Sequence, residues 1–286
     1  MITVADRKED SVSEDNTANG FAPDGIDVTT PHPARRYDYW LGGKNNFEAD
    51  RESAELVAEA FPTIRFACLE NRNFLRRAVT YLTEEAGIRQ FLDIGAGLPT
   101  AGNVHEIAQG IAPDSHIVYV DNDPIVLMHA RTLLDSSPQG ATAYLDADVR
   151  DPAHILSHPD LLSTLDLSRP VALMLVAVMH FITDEEKPHE LVRQLCDALA
   201  PGSYLVMTHG TDDHLTQEDL NETRKANERS GIPFRLRSTA EFEPFFTGMD
   251  LVPPGITSVM TWRPETWHAH PRPEAVSMLS AVARIG

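Results

Sequence analysis

The stretch Phe91-Leu92-Asp93-Ile94-Gly95-Ala96-Gly97-Leu98-Pro99-Thr100 decides the fold. An apolar run ends in an acid, and paired glycines then open what reads as a helix. Glycine lets the backbone turn sharply and lets a ligand approach where a Cβ would stand. A helix starting there offers unpaired N–H groups and a partial positive charge to an anion. Pro99 suits its first turn, where a missing N–H costs nothing.

The same loop discriminates between ligands. A dinucleotide loop reads G-x-G-x-x-G, the third glycine allowing close helix–strand packing. Here that position is Thr100, and Gly102 comes two places late. Asp93 would repel a pyrophosphate and attract an ammonium or a sulfonium. S-adenosylmethionine carries both cations, and its carboxylate would use the helix N-terminus.

Matching acids follow at even spacing. His116-Ile117-Val118-Tyr119-Val120-Asp121 is a β-branched and aromatic run whose acid stands 28 residues after Asp93. That interval is about one strand–helix–strand unit. Asp121 can accept both hydroxyls of a ribose. The run from Ala141 to Val149 places Asp148 a further 27 residues on, able to accept from an adenine amino group while the Val149 N–H meets a ring nitrogen. Val171 to Met179 is a continuous apolar run, expected of a strand buried on both faces. Strands alternating with helices predict a parallel sheet with right-handed crossovers and a ligand at the strands' carboxyl ends.

At these motifs the chain resembles the Rossmann-like class I S-adenosylmethionine-dependent methyltransferases. Leu92 to Gly97 looks like their glycine motif, Val120-Asp121-Asn122-Asp123-Pro124 like their ribose motif, and Asp148-Val149 like their adenine motif. The resemblance is closer to a large, mostly uncharacterised actinobacterial group, in which a segment like Ala34 to Phe47 precedes the catalytic domain. It covers about residues 31–286. It implies an α/β fold: a mostly parallel seven-stranded sheet with helices on both faces and an N-terminal helical lid. The cofactor set it implies is Asp93, Gly95, Ala96, Gly97, Asp121, Asn122, Asp148, Val149 and Ala177. S-adenosylhomocysteine would be the product. The group implies no particular methyl acceptor.

Charge and composition narrow the partners. With 43 acidic against 24 basic residues the formal net charge is −19, which disfavours phosphate backbones and anionic membranes. A small-molecule acceptor is expected instead. Cys68 and Cys196 have no metal-ligand spacing and offer no disulfide framework, no metal is expected, and no segment is long enough to span a bilayer. Without an apolar leader, the expected location is the cytoplasm. Nothing distinguishes a monomer from a homodimer.

Residues 1–30 read as an acidic, disordered tail, residues 31–88 as the helical lid and residues 89–286 as the cofactor-binding domain. The lid carries the oddest stretch, Arg35 to Phe47, with two tyrosines, a tryptophan, Gly42-Gly43 and Asn45-Asn46. Polar groups on such loops tend toward function. Arg36, Tyr37 and Trp40 are read as walls of the ligand chamber, and Asn45 and Asn46 as hydrogen-bonding either ligand or loop. The competing reading is a helix that merely docks its aromatics. Helices are expected around Ala49 to Glu59, Cys68 to Glu85 and Gln217 to Arg229. Thr216 should cap the last and Gly231 stop it. A capping box at Ser238 should open a short helix.

On the acceptor side, His180 ends the fourth strand region, where imidazole could orient or deprotonate an acceptor. His209, at the end of the fifth strand, is a second candidate. Either would serve equally as a histidine bonded to a neighbouring loop. The His-Pro pairs at 32–33, 158–159 and 270–271 read as loop residues. Ile256 to Trp262 reads as the closing antiparallel strand, Trp262 and Arg263 as edge packing, and residues 264–286 as an extension or helix. Two other functions fit parts of this pattern: a non-catalytic binder of the same cofactor, and an NAD-dependent oxidoreductase, which the missing glycine and Asp93 oppose.

Overall fold

The computed structural model describes residues 27–100, 102–133, 136–264 and 275–286. Residues 1–26 of the expected tail and the His270-Pro271 pair lie outside the described residues. Eight strands form one sheet: β1 (Gln90–Ile94), β2 (His116–Asp121), β3 (Ala141–Asp146), β4 (Ala172–Val176), β5 (Tyr204–Gly210), β6 (Asp250–Leu251), β7 (Thr257–Ser258) and β8 (Met278–Arg284). Their order is β3-β2-β1-β4-β5-β8-β6, a seven-stranded path, with β7 paired to β8 off it. The first five pair in parallel, and β8 runs antiparallel to β5, β6 and β7.

Ten α-helices accompany them among the described residues: α1 (Pro33–Trp40), α2 (Glu48–Ala60), α3 (Ile64–Glu84), α4 (Val104–Ile111), α5 (Pro124–Leu133), α6 (Pro152–Ser157), α7 (Pro159–Thr164), α8 (Pro188–Asp197), α9 (Gln217–Ser230) and α10 (Thr239–Phe242). The strands read as unbroken apolar runs because both faces of the sheet are covered. Leu92, Ile94, Val118, Val120, Leu173 and Leu175 join one core with Ile155, Leu161, Leu195 and Phe242. The alternate residues Phe91, Ile117, Tyr119, Ala172 and Met174 join a second core with Phe74, Ala78 and Leu82 of α3 and Val104 and Ala108 of α4. The period of two is the pleat itself.

Several local expectations need correction. The helix after the glycine loop does not begin at Pro99. The loop runs on, and α4 starts at Val104, where Glu106 accepts the Asn103 N–H at 3.2 Å. The closing strand is not Ile256 to Trp262, of which only Thr257–Ser258 pairs. It is Met278–Arg284, whose buried run Leu279 to Ala283 inserts beside β5. Trp262 is core rather than edge, enclosed by the edges of Phe74 and Tyr81 at 5.4 and 5.8 Å between ring centroids. The described His-Pro pairs start helices: His32 Nδ1 accepts from Ala34 N and His158 Nδ1 from Asp160 N, each with Pro in the first turn. By contrast α9 ends at Gly231 (φ +75°) with Thr216 as its cap, and Ser238 caps α10, as the sequence predicts.

Candidate active site

The registers Ile94↔Val120 and Asp121↔Asp146 align the carboxyl ends of β1, β2 and β3 at one edge of the sheet. A cavity of about 370 Å³ opens there, lined by every residue of the expected cofactor set. The volume falls in the range usual for small-molecule sites. Gly97 N donates to Asp121 Oδ2 at 2.8 Å and Asp123 N to Oδ1 at 2.9 Å, fixing the carboxylate and leaving lone pairs for a ligand. Asn122 Nδ2 donates to Asp148 Oδ2 at 2.8 Å, tying the ribose and adenine motifs together. At Gly95, φ is +77° and an added Cβ would lie 2.7 Å from the Val178 side chain. Ala177 has φ +57°, held by its N–H donating to Thr208 Oγ1 at 2.9 Å. That turn ends β4 and starts the single 3-10 turn Met179–Phe181, which brings His180 to the cavity.

Asp93 is the electrostatic centre. Burial pushes its carboxyl up to about 7; Arg72 opposes the shift and Asp121 adds to it. Burial also raises Asp121, against the N–H bonds from Asp123 and Gly97. A cation bound beside them would favour their ionised forms. Arg72 and Asn71, on α3, were missed in the sequence. Both line the cavity, and Asn71 Oδ1 is buried without a hydrogen-bond partner among the described residues. Asn71 was findable, since it lies three residues before Phe74 on an otherwise apolar stripe.

The lid is a docked helix. Arg35 Nε lies 3.1 Å from Asp123 Oδ2 and its Nη1 3.6 Å from Asp50 Oδ2, with all three residues buried. Asp50 also accepts the backbone N–H of His32 at 2.9 Å and of Phe47 at 2.8 Å. The Asp123 carboxyl sits below its ordinary range: burial works against this, but His32 and Arg35 outweigh it. Helix α1 is thereby pinned to both α2 and the turn after β2. Arg36, Tyr37 and Trp40 line the cavity from it. Tyr37 Oη donates to Cys68 O at 3.0 Å and receives Asn71 Nδ2 at 3.0 Å.

Asn45 and Asn46 serve the loop and are absent from the cavity lining. Asn45 N and Asn46 Nδ2 each donate to Asp38 Oδ2 at 2.9 Å, so Asp38 is the hub that shapes this turn. Gly43 is required here, because a Cβ would fall 2.0 Å from Asp38 Oδ1.

The two histidines differ. His209 is fully buried: Nδ1 bonds Gly210 O and Nε2 meets Arg237 Nη1, both at 2.8 Å. Burial pushes it down to about 3, so it holds Arg237 as a neutral ring. His180 faces the cavity. Burial, then His209, Arg36 and Arg237, drive it well below its ordinary value. Its ring lies 4.6 Å from that of Phe234, and Nδ1 has no hydrogen-bond partner among the described residues.

The geometry suits S-adenosylmethionine. Asp93 and the Asn71 oxygen can take an ammonium, Asp121 a ribose, and Asp148 with Val149 an adenine. One part of the expectation moves. The first turn of α4 is capped by Glu106 and does not line the cavity, so Arg72 beside Asp93 is the better partner for the cofactor carboxylate.

Comparison with known proteins agrees. No functionally curated protein matches the chain. A crystal structure of a DUF574 family protein from Streptomyces avermitilis MA-4680 is 46% identical, with a TM-score of 0.88 over 91% of this chain and all of that one. A candidate methyltransferase from Thermobifida fusca YX is 41% identical, with a TM-score of 0.85 over 93% of this chain and 99% of that one. The model of the S-adenosyl methyltransferase family matches residues 19–286. With this match over residues 19–286, the chain belongs to that family of S-adenosylmethionine-dependent methyltransferases.

Proposed function

We propose that the chain methylates a small-molecule acceptor by in-line displacement, in the chamber that α1 roofs. The observation that carries this is the shared cavity: the cofactor set and the lid residues Arg36, Tyr37 and Trp40 line one space. When bound, the cofactor supplies the methyl group and its own positively charged leaving group. The protein aligns, encloses and excludes water. Asp93 holds the ammonium, Asp121 fixes the ribose, and Ala177 places the β4 turn so that His180 faces the acceptor side. His180 is neutral at physiological pH. It can orient an acceptor through a hydrogen bond or take a proton from one that needs a base. The expected setting is the cytoplasm, in keeping with two free, buried cysteines; no described helix is long and apolar enough to cross a membrane.

Isothermal titration with S-adenosylmethionine, S-adenosylhomocysteine and, as control, NAD tests this reading. Micromolar binding of the first two, weakened about 100-fold or more by Asp121→Ala, is expected. Acceptors are then screened by methyl release. A response to NAD alone would move the protein among the oxidoreductases, and persistent cofactor binding with no acceptor methylated would favour a non-catalytic binder.

A further inference from the structure

Arg36 is a polar group of the chamber that methyl transfer does not explain. Its side chain is almost wholly buried, at 1% exposure. Nη1 donates to two neutral hydroxyls, Ser230 Oγ at 3.2 Å and Ser53 Oγ at 3.4 Å. Among the described residues, Nε has no hydrogen-bond partner and no carboxylate lies within ion-pair distance of the guanidinium. Asp50, the acid nearest in its electrostatics, is engaged with Arg35. The guanidinium lies 4.9 Å from the centre of the Trp40 ring, which covers a face and leaves its edges. A buried charge held mainly by hydroxyls and one ring is costly to keep. Such a group is retained when a ligand completes it.

Its surroundings define that ligand. Arg36 and His180 line the same cavity, and the charge of Arg36 acts on His180. Trp40, Phe61, Ile64 and Phe234 supply apolar walls. The other arginine here, Arg72, acts on Asp93 at the cofactor end. One fixed charge beside a neutral imidazole balances a single negative charge and would leave a phosphate dianion half-compensated. A carboxylate is the singly charged group whose geometry matches a guanidinium.

We propose that the acceptor is a small organic acid with an apolar body, its carboxylate anchored on Arg36. This rests on the methyltransferase reading and adds a substrate class to it. Arg36 is a specificity-determining residue, whereas the cofactor end of the cavity belongs to Asp93, Asp121 and Asp148.

The test uses full-length protein saturated with S-adenosylhomocysteine, whose own binding is measured first. Benzoate, phenylacetate and hexanoate are titrated against benzamide, phenylacetamide and hexanamide. At least one acid should bind about tenfold or more tighter than its amide. Arg36→Met should erase that preference while S-adenosylhomocysteine affinity stays within about twofold, and Arg36→Lys should keep part of it. The ligand-free Arg36→Met protein should melt no lower than the wild type, since an uncompensated buried charge is removed. Acids and amides binding alike, no acid binding to the saturated protein, or a parallel loss of S-adenosylhomocysteine affinity in Arg36→Met would overturn the proposal. A lower melting point in Arg36→Met would also count against it, as a purely structural arginine gives that result. Failure of S-adenosylhomocysteine to bind the wild type would instead overturn the methyltransferase reading, and this proposal with it.

Discussion

Asp93 binds its proton more tightly in the folded chain than in the unfolded one, with a carboxyl at about 7 against an ordinary 3.8. Its stabilising contribution is therefore complete below about pH 4 and is lost as pH rises through 7. Asp93→Asn should raise the melting temperature of the ligand-free protein most at pH 8, less at pH 5 and least near pH 4. If Asp93 holds the ammonium as proposed, the same ionisation governs the cofactor, because only the carboxylate forms an ion pair with it. Affinity for S-adenosylmethionine should rise between pH 5.5 and 7 by up to about tenfold per unit, and Asp93→Asn should flatten that slope. Gly95→Ala meets both a left-handed backbone and the Val178 side chain. It should cost about 1–3 kcal/mol in urea unfolding and weaken the cofactor together with stability. At this scale the sequence was most legible where a residue type has one physical use: a glycine at a turn, an acid at a strand end. The guanidinium of Arg72 was not, because an arginine on a helix is usually solvated and only the tertiary fold turns this one toward Asp93.

Helix α1 is held both by its aromatics, packed with Ala54, Val57 and Cys68, and by the buried charges Arg35, Asp50 and Asp123. Asp50→Asn would leave Arg35 with one carboxylate in place of two and set an amide NH2 against one of the two backbone N–H groups that Asp50 accepts. It should destabilise the protein by about 1–3 kcal/mol, read by denaturant titration. Where the fold survives, S-adenosylhomocysteine should dissociate faster, in a stopped-flow displacement trace, because the roof opens more readily. Elements were legible when their ends carry side-chain chemistry. Thr216 and Gly231 bound α9, and Ser238 with Glu241 opens α10. The start of α4 misled, because Pro99 satisfies the rules for a first turn and a loop equally. Its cap, Asn103 with Glu106, was present in the sequence but overshadowed by the nearer glycines. The strand expected at Ile256 to Trp262 failed for a different reason. Its apolar residues serve a core under α3, where Arg77 Nε donates to Trp262 O at 2.9 Å.

For the molecule as a whole, cofactor and fold are thermodynamically linked. At a concentration 100 times its Kd, S-adenosylhomocysteine should add about 2.7 kcal/mol of stability, visible as a concentration-dependent melting temperature. The parallel strands follow from even spacing of motifs and were legible, whereas their order β3-β2-β1-β4-β5 came only with the structure. The antiparallel end was not, since β6 and β7 are two residues each and neither pairs with any strand but β8. That dependence gives the chain a schedule. Strands β1 to β5 can assemble once residue 210 has been made, yet the free edge of β5 then waits for Met278–Arg284. Through that interval Tyr204-Leu205-Val206-Met207-Thr208 offers unpaired backbone and apolar side chains to any neighbouring nascent chain. Production of this protein is thus most exposed to aggregation late in synthesis, and slower growth or a holding chaperone acting on that one edge should raise the soluble yield.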